Sequence, residues 1–297
     1  MKTKITKLPM FVVNMSLIIL LSISNSCGTQ KSQTIINDSH TNSYIDLLES
    51  LNKIGKRYVP THTLQRTSSS NEKIDWEKVV YADGRGAIVG LSLSSRSGNP
   101  YAIVATTIGV GVYDSMEEYE RQKVDTTGMN DALEKTIDIE NPFNIDWRNS
   151  IPLIDEEIGS VVGEWHNTLL EELFTDEYNI EDFSVEDNIT HIIDLFVYLS
   201  GITLNEQEIS QLLSENINDI GISPEVETIY DTYCDYAFSL DGVSRHLLTT
   251  EFLDDIHTAE PENEEAIIIG IMTAYYSSYF WNIIDINNSI IDNNYED

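Results

Sequence analysis

Apolar residues recur at three- and four-residue spacing through most of the second half of the chain, and this spacing predicts amphipathic helices. Glu157 to Phe174 places Ile158, Val161, Val162, Trp165, Leu169 and Leu173 on one face. Ser184-Val185-Glu186-Asp187 has the form of a capping box. It opens a stretch with Ile189, Ile192, Ile193, Phe196 and Leu199 inward, which Gly201 ends. Thr203-Leu204-Asn205-Glu206 forms a second box, followed by Ile209, Leu212, Leu213 and Ile217 at helical spacing, with Gly221 as a stop. Ser223 caps a further helix with Pro224 at its first position and Val226, Ile229, Tyr230, Tyr233, Ala237 and Leu240 on its apolar side. A helix over Val243 to His257 follows, then a last one from about Pro261 to Ile286. The stretch AIIIGIMTAYYSSYFWNII in that last helix is apolar almost all round, which places it at the centre of a bundle. Its Ser, Thr and aromatic residues with polar atoms argue against a membrane span.

The first half has a different texture. Ile45, Leu48, Leu51 and Ile54 share one face of a short helix. Between Ile74 and Gln122, two apolar stretches rich in small residues flank the polar turn Arg96-Ser97-Gly98-Asn99-Pro100. Gly86 and Gly90 are four residues apart, a spacing that lets two helices approach closely. The expectation is a helical hairpin over residues 76–120; the β-branched content, including Val79, Val80, Ile88, Val89, Ile103 and Val104, makes a β-hairpin the alternative. Each arm is too short to span a bilayer. Residues 123–156 read as irregular, with Gly128, Pro142 and Pro152 as breakers. The fold class expected is mainly α, an irregular bundle of about six to eight helices.

The first 26 residues have the layout of a secretory signal: Lys2, Lys4 and Lys7, then the apolar Phe11 to Ile23, then Ser24-Asn25-Ser26 before Cys27. Ile23-Ser24-Asn25-Ser26-Cys27 resembles a relaxed lipobox, the processing site of bacterial lipoproteins. The resemblance implies cleavage before Cys27, lipid (palmitate among the acyl chains) on that cysteine, and a place in the cell envelope, the outer membrane rather than the inner. Four regions follow: a signal peptide over 1–26, the lipidated cysteine and a flexible polar tether over 27–43, an N-terminal region with the short helix and the hairpin over 44–148, and an acidic helical domain over 149–297. Cys234 is the only other cysteine. It lies in a Tyr-rich stretch with no nearby cation to favour a thiolate, so it reads as a small buried hydrophobe.

The charge is divided unevenly. Of the 50 Asp and Glu residues, 33 fall in residues 149–297, against a single base, Arg245. A surface of that sign repels phosphate backbones and anionic headgroups, which excludes nucleic acid as a partner and leaves the lipid as the membrane contact. The candidate partners are an envelope protein or divalent cations. Arg245 is expected to form a structural ion pair, with an anchor for an anionic ligand as the alternative.

Ala82 to Gly90, Gly163 to Leu170 and Ser278 to Trp281 together resemble segments of uncharacterised exported bacterial proteins in which a glycine-rich hairpin precedes a helical domain. That resemblance implies export and assigns no activity. The candidate binding residues are His166, Asn167, His191, Asp194 and Arg245. His166 falls at the edge of a buried helical face and reads as a packed histidine or, alternatively, as the lining of a groove. His191 and Asp194, three residues apart, share a helix face, but two ligands do not make a metal site, and none is assigned. The calcium-loop-like run from Asp38 to Glu49 lacks the required glycine, and Ser70-x-x-Lys73 stands in a polar loop without supporting motifs. No cofactor is implied. The function expected is that of an envelope binding or scaffold module rather than an enzyme. The alternatives are a divalent-cation-binding acidic domain and a hydrolase with a site near His166, His191 and Arg245.

Overall fold

A computed structural model of the chain describes residues 38–59, 74–95, 97–127, 151–152, 154, 156–175, 184–216 and 221–293. The signal peptide, Cys27, Ser70, Lys73 and most of the stretch expected to be irregular lie outside the described residues. Among those described there are nine helices and no strand: α1 Asp38–Tyr58, α2 Trp76–Ser94, α3 Pro100–Thr127, α4 Glu157–Thr175, α5 Val185–Ser200, α6 Glu206–Asn216, α7 Pro224–Ala237, α8 Gly242–Ala259 and α9 Glu264–Asn293. The all-α reading holds, and the small-residue segment forms helices rather than strands. The first helix opens at Asp38, earlier than the tether's expected end at Ser43, so the run from Asp38 to Glu49 is helical throughout.

Helices α2 and α3 form the tightest pair in the molecule, and their small residues explain it. A Cβ on Gly86 would stand 2.9 Å from the Gly111 Cα, and one on Gly90 would stand 2.6 Å from the Thr106 carbonyl oxygen. Backbone therefore lies against backbone along this seam, where dispersion contacts accumulate without side chains intervening. The other side of α2 meets α9 in the same way, since a Cβ on Gly84 would come within 2.5 Å of the Gly270 carbonyl oxygen.

Helix α9 packs on α2, α4, α7 and α8. Ile267 to Ser278 are buried on every side, as the all-round apolar sequence requires. Helix α1 lies across α7 and α8, with Tyr236 donating to Asn52 at 3.0 Å and Tyr58 donating to Glu251 at 2.7 Å. Arg57 also pairs with Glu251.

Local capping chemistry sets several helix ends. Ser184 accepts from the Asp187 N–H and Ser223 from the Val226 N–H, as the sequence predicts. Gly201 ends α5 with φ +71°, in the left-handed region where glycine carries no Cβ penalty. The second expected box is displaced. Helix α6 begins at Glu206, and the Asn205 carboxamide, not Thr203, accepts from the Gln207 N–H at 3.1 Å. Asn and Thr are both good caps, and Asn205 lies directly before the first helical residue.

Candidate functional site

Four helices of the central pack converge on one carboxyl group. Asp83 lies mid-way along α2 in the run Ala82-Asp83-Gly84, and its exposure is 0%. Ser277 and Trp281, one turn apart on α9, both donate to its Oδ2, the indole at 2.9 Å. His166 on α4 brings Nε2 to 3.4 Å from Oδ1. Ser115 on α3 turns its hydroxyl toward the same carboxyl without completing a hydrogen bond. Ser115, His166, Asn167, Ser277 and Trp281 are as fully sealed as Asp83.

The glycines create the space for this meeting. A Cβ on Gly111 would lie 3.2 Å from the Asp83 carbonyl oxygen and 3.4 Å from the His166 ring. Without that close approach of α3 to α2 and α4, carboxyl and imidazole would not face each other.

The network also orients the imidazole. Asn167 Nδ2 donates to the Tyr276 carbonyl at 2.9 Å, which leaves its Oδ1 facing His166 Nδ1 at 3.2 Å. An amide oxygen only accepts, so Nδ1 carries a proton. Nε2 is then the atom that faces Asp83 Oδ1, at 3.4 Å, and neither of the two has a hydrogen-bond partner as placed. Full burial pushes the Asp83 carboxyl up, against the pull of His166, Ser115 and Trp281. Asp114, one helical position before Ser115, is pushed up to about 7 by burial and by Glu117, with Arg85 opposing.

Trp281 joins this polar centre to an aromatic one. It stacks on Trp76 at 5.2 Å and Tyr119 at 5.7 Å, and takes the edges of Phe174 at 5.6 Å and Phe280 at 5.1 Å. Five rings from α2, α3, α4 and α9 thus surround one side of the Asp83 cluster.

The candidate residues fall into three separate settings. His166 and Asn167 belong to the sealed cluster, not to the edge of a face. His191 and Asp194 are exposed on α5, and among the described residues no three His, Cys, Asp or Glu side chains gather as metal ligands. Arg245 on α8 is half-buried and makes its hydrogen bonds without a carboxylate. Its Nε donates to the Ala237 carbonyl at 3.1 Å, one terminal nitrogen to the Leu240 carbonyl at 2.8 Å, and the other to Ser278 Oγ at 2.7 Å. It closes the C-terminal end of α7, where carbonyls lack helical partners, and fastens it to α9. Replacing it as Arg245→Met should cost about 2 kcal/mol, because the Leu240 carbonyl and the Ser278 hydroxyl lose the guanidinium as donor, while the Ala237 carbonyl keeps only the Leu240 N–H. A circular-dichroism melt checks this; an unchanged melting temperature would show that the clamp contributes nothing.

Sequence reasoning named His166 and Asn167 but passed over Asp83, Ser115 and Ser277. The available signal was an acidic residue set among small residues in a stretch otherwise fit for burial, since a buried carboxyl must find donors. Cys234 is buried with its thiol pushed well up by desolvation, as its apolar setting predicts.

The fold and cluster define an all-helical bundle pinned at its centre by a polar cluster. Comparison with known protein families, curated proteins and solved structures finds no match. Three stretches far apart in the chain, Ala82 to Gly90, Gly163 to Leu170 and Ser278 to Trp281, meet here through Asp83, His166 and Trp281.

Proposed function

We propose that the protein is an exported lipoprotein of the cell envelope, in which a helical body on a lipid tether binds or scaffolds a partner rather than catalysing a reaction. The observation that carries this reading is the signal-like N-terminus ending in the lipobox-like Ile23 to Cys27. Two further observations support it. Among the described residues no helix is long and apolar enough to cross a membrane, and in this reading an acyl chain on Cys27 supplies the membrane contact. The cluster with the chemistry most like that of an active site, Asp83 with His166, is closed to solvent and to substrate. The acidic second half keeps such a body soluble and favours a basic partner.

The expected result is that the cellular protein begins at Cys27 and carries a diacylglyceryl group with a further acyl chain, read by intact mass. Cys27→Ser should leave the helical body folded but release it from the membrane fraction. An unmodified, uncleaved polypeptide in the soluble extract would contradict the lipid tether. Crosslinking in intact cells followed by purification that recovers no envelope protein would contradict the binding role.

A further inference from the structure

The Asp83–His166 contact has a definite proton count. His166 Nδ1 donates to Asn167, whose amide orientation is set by the Tyr276 carbonyl. One proton remains for the line between Nε2 and Asp83 Oδ1. If that line held none, a carboxylate oxygen would face a bare nitrogen lone pair; if it held two, a sealed core would carry a net positive charge. With one, the cluster is neutral. In a site sealed from bulk solvent, the form with the proton on Oδ1 separates no charge, while Oδ2 still accepts from Ser277 and Trp281. The titratable or charged groups facing Asp83 from the packed elements are His166 on α4, Asp114 on α3 and Tyr230 on α7, with Arg85 on α2 itself. Arg85 reaches outward to Glu227 at 4.0 Å. The Tyr230 hydroxyl donates to the Tyr81 carbonyl at 2.9 Å. Neither compensates a negative charge on Asp83.

We propose that Asp83 holds this proton and donates it to His166 Nε2, and that the proton locks α2, α4 and α9 together, so that the bundle is closed on the acid side and loosened on the alkaline side. The sign follows from linkage. Burial raises the Asp83 carboxyl above its unfolded value, so its stabilising contribution is complete below the ordinary carboxylate range. That contribution is lost as pH rises through the value in the fold, because the unfolded chain releases a proton that the fold must keep. Asp114, Glu265 and His257 work in the same direction. Burial alone would lower His257, but Glu264 at 2.6 Å and Glu156 at 3.0 Å outweigh it and raise it. The test must therefore isolate Asp83.

The experiment compares urea unfolding of the full chain and of Asp83→Asn from about pH 5 to about pH 9. The amide has the shape of the neutral acid: its nitrogen donates to His166 Nε2, and its oxygen accepts from Ser277 and Trp281. Asp83→Asn is expected to fold, and its stability should fall less steeply with pH, by up to about one proton per chain. Parallel pH profiles for the two proteins would overturn the proposal. So would an Asp83→Asn protein that fails to fold on the acid side, because that loss belongs to a carboxylate–imidazolium pair. Infrared spectroscopy of the Asp114→Asn protein supplies a second readout. A protonated-carboxyl band should be present at mildly acid pH and lose the intensity of one carboxyl when Asp83→Asn is added, with Glu265, also raised by burial, left in place; a band unchanged by Asp83→Asn would also overturn the proposal.

Discussion

Trp281→Ala should remove about 5 kcal/mol of stability, the largest single loss expected in the molecule. Two mechanisms combine at this residue. The indole is fully buried and contacts Trp76, Tyr119, Phe174 and Phe280, so truncation opens a large cavity that these four rings, held on α2, α3, α4 and α9, cannot close. Deletions of this kind cost about 3–5 kcal/mol. The same change strips one of two donors from Asp83 Oδ2, and an under-satisfied buried acceptor costs about 1–3 kcal/mol more. The sum is comparable with the whole stability of an ordinary domain, on the order of 5–15 kcal/mol. Urea unfolding followed by tryptophan-independent circular dichroism measures it. Trp281→Phe should recover most of the packing but not the hydrogen bond, and so lie between wild type and Trp281→Ala. A Trp281→Ala loss under about 1 kcal/mol would mean that the aromatic cluster does not pack as described.

Gly90→Val should cost at least about 3 kcal/mol, the upper part of the usual range for overpacking. The first added carbon alone would lie 2.6 Å from the Thr106 carbonyl oxygen and 2.7 Å from the Thr107 Cα. These are backbone atoms of α3, which have no rotamer to change. The seam must open, and opening it moves Gly111 and Ser115 relative to Asp83 and His166. Gly221→Ala is the matched control, because nothing lies within 4 Å of the added carbon. It should be within about 0.5 kcal/mol of wild type. Similar melting temperatures for the two variants would contradict a helical hairpin packed backbone to backbone.

The elements of this fold were legible where the signal is local. Ser184, Gly201, Ser223 and Pro224 mark helix ends through bonds spanning a few residues, and the structure has those ends. The run from Ala266 to Trp281 declared a central helix because no face of it is polar enough for water. Residues 76–120 were harder, because Val and Ile support strands as readily as helices and only the glycine spacing favoured helices. Cap selection failed at Thr203, because Thr203 and Asn205, two residues apart, differ by little free energy as caps.

The polar cluster was less legible for a different reason. Asp83 lies 194 residues from Ser277 and 198 from Trp281, so no periodicity links them. His166 was readable as a packed histidine, but not its partner. Arg245 was expected to find one of the many carboxylates in its half of the chain. It took two carbonyls and a hydroxyl instead, because the unsatisfied end of α7 lies directly before the turn that leads into its own helix.

Hydrogen–deuterium exchange read by mass spectrometry tests most directly whether the glycine-rich hairpin is the pinned centre of the bundle. Peptides covering Asp83–Gly90, Gly109–Ser115 and Ile267–Trp281 should exchange last and together, since they share the Asp83 cluster and open only on global unfolding. Early exchange of the two hairpin segments, with Ile267–Trp281 still protected, would contradict this arrangement and make the hairpin a peripheral arm.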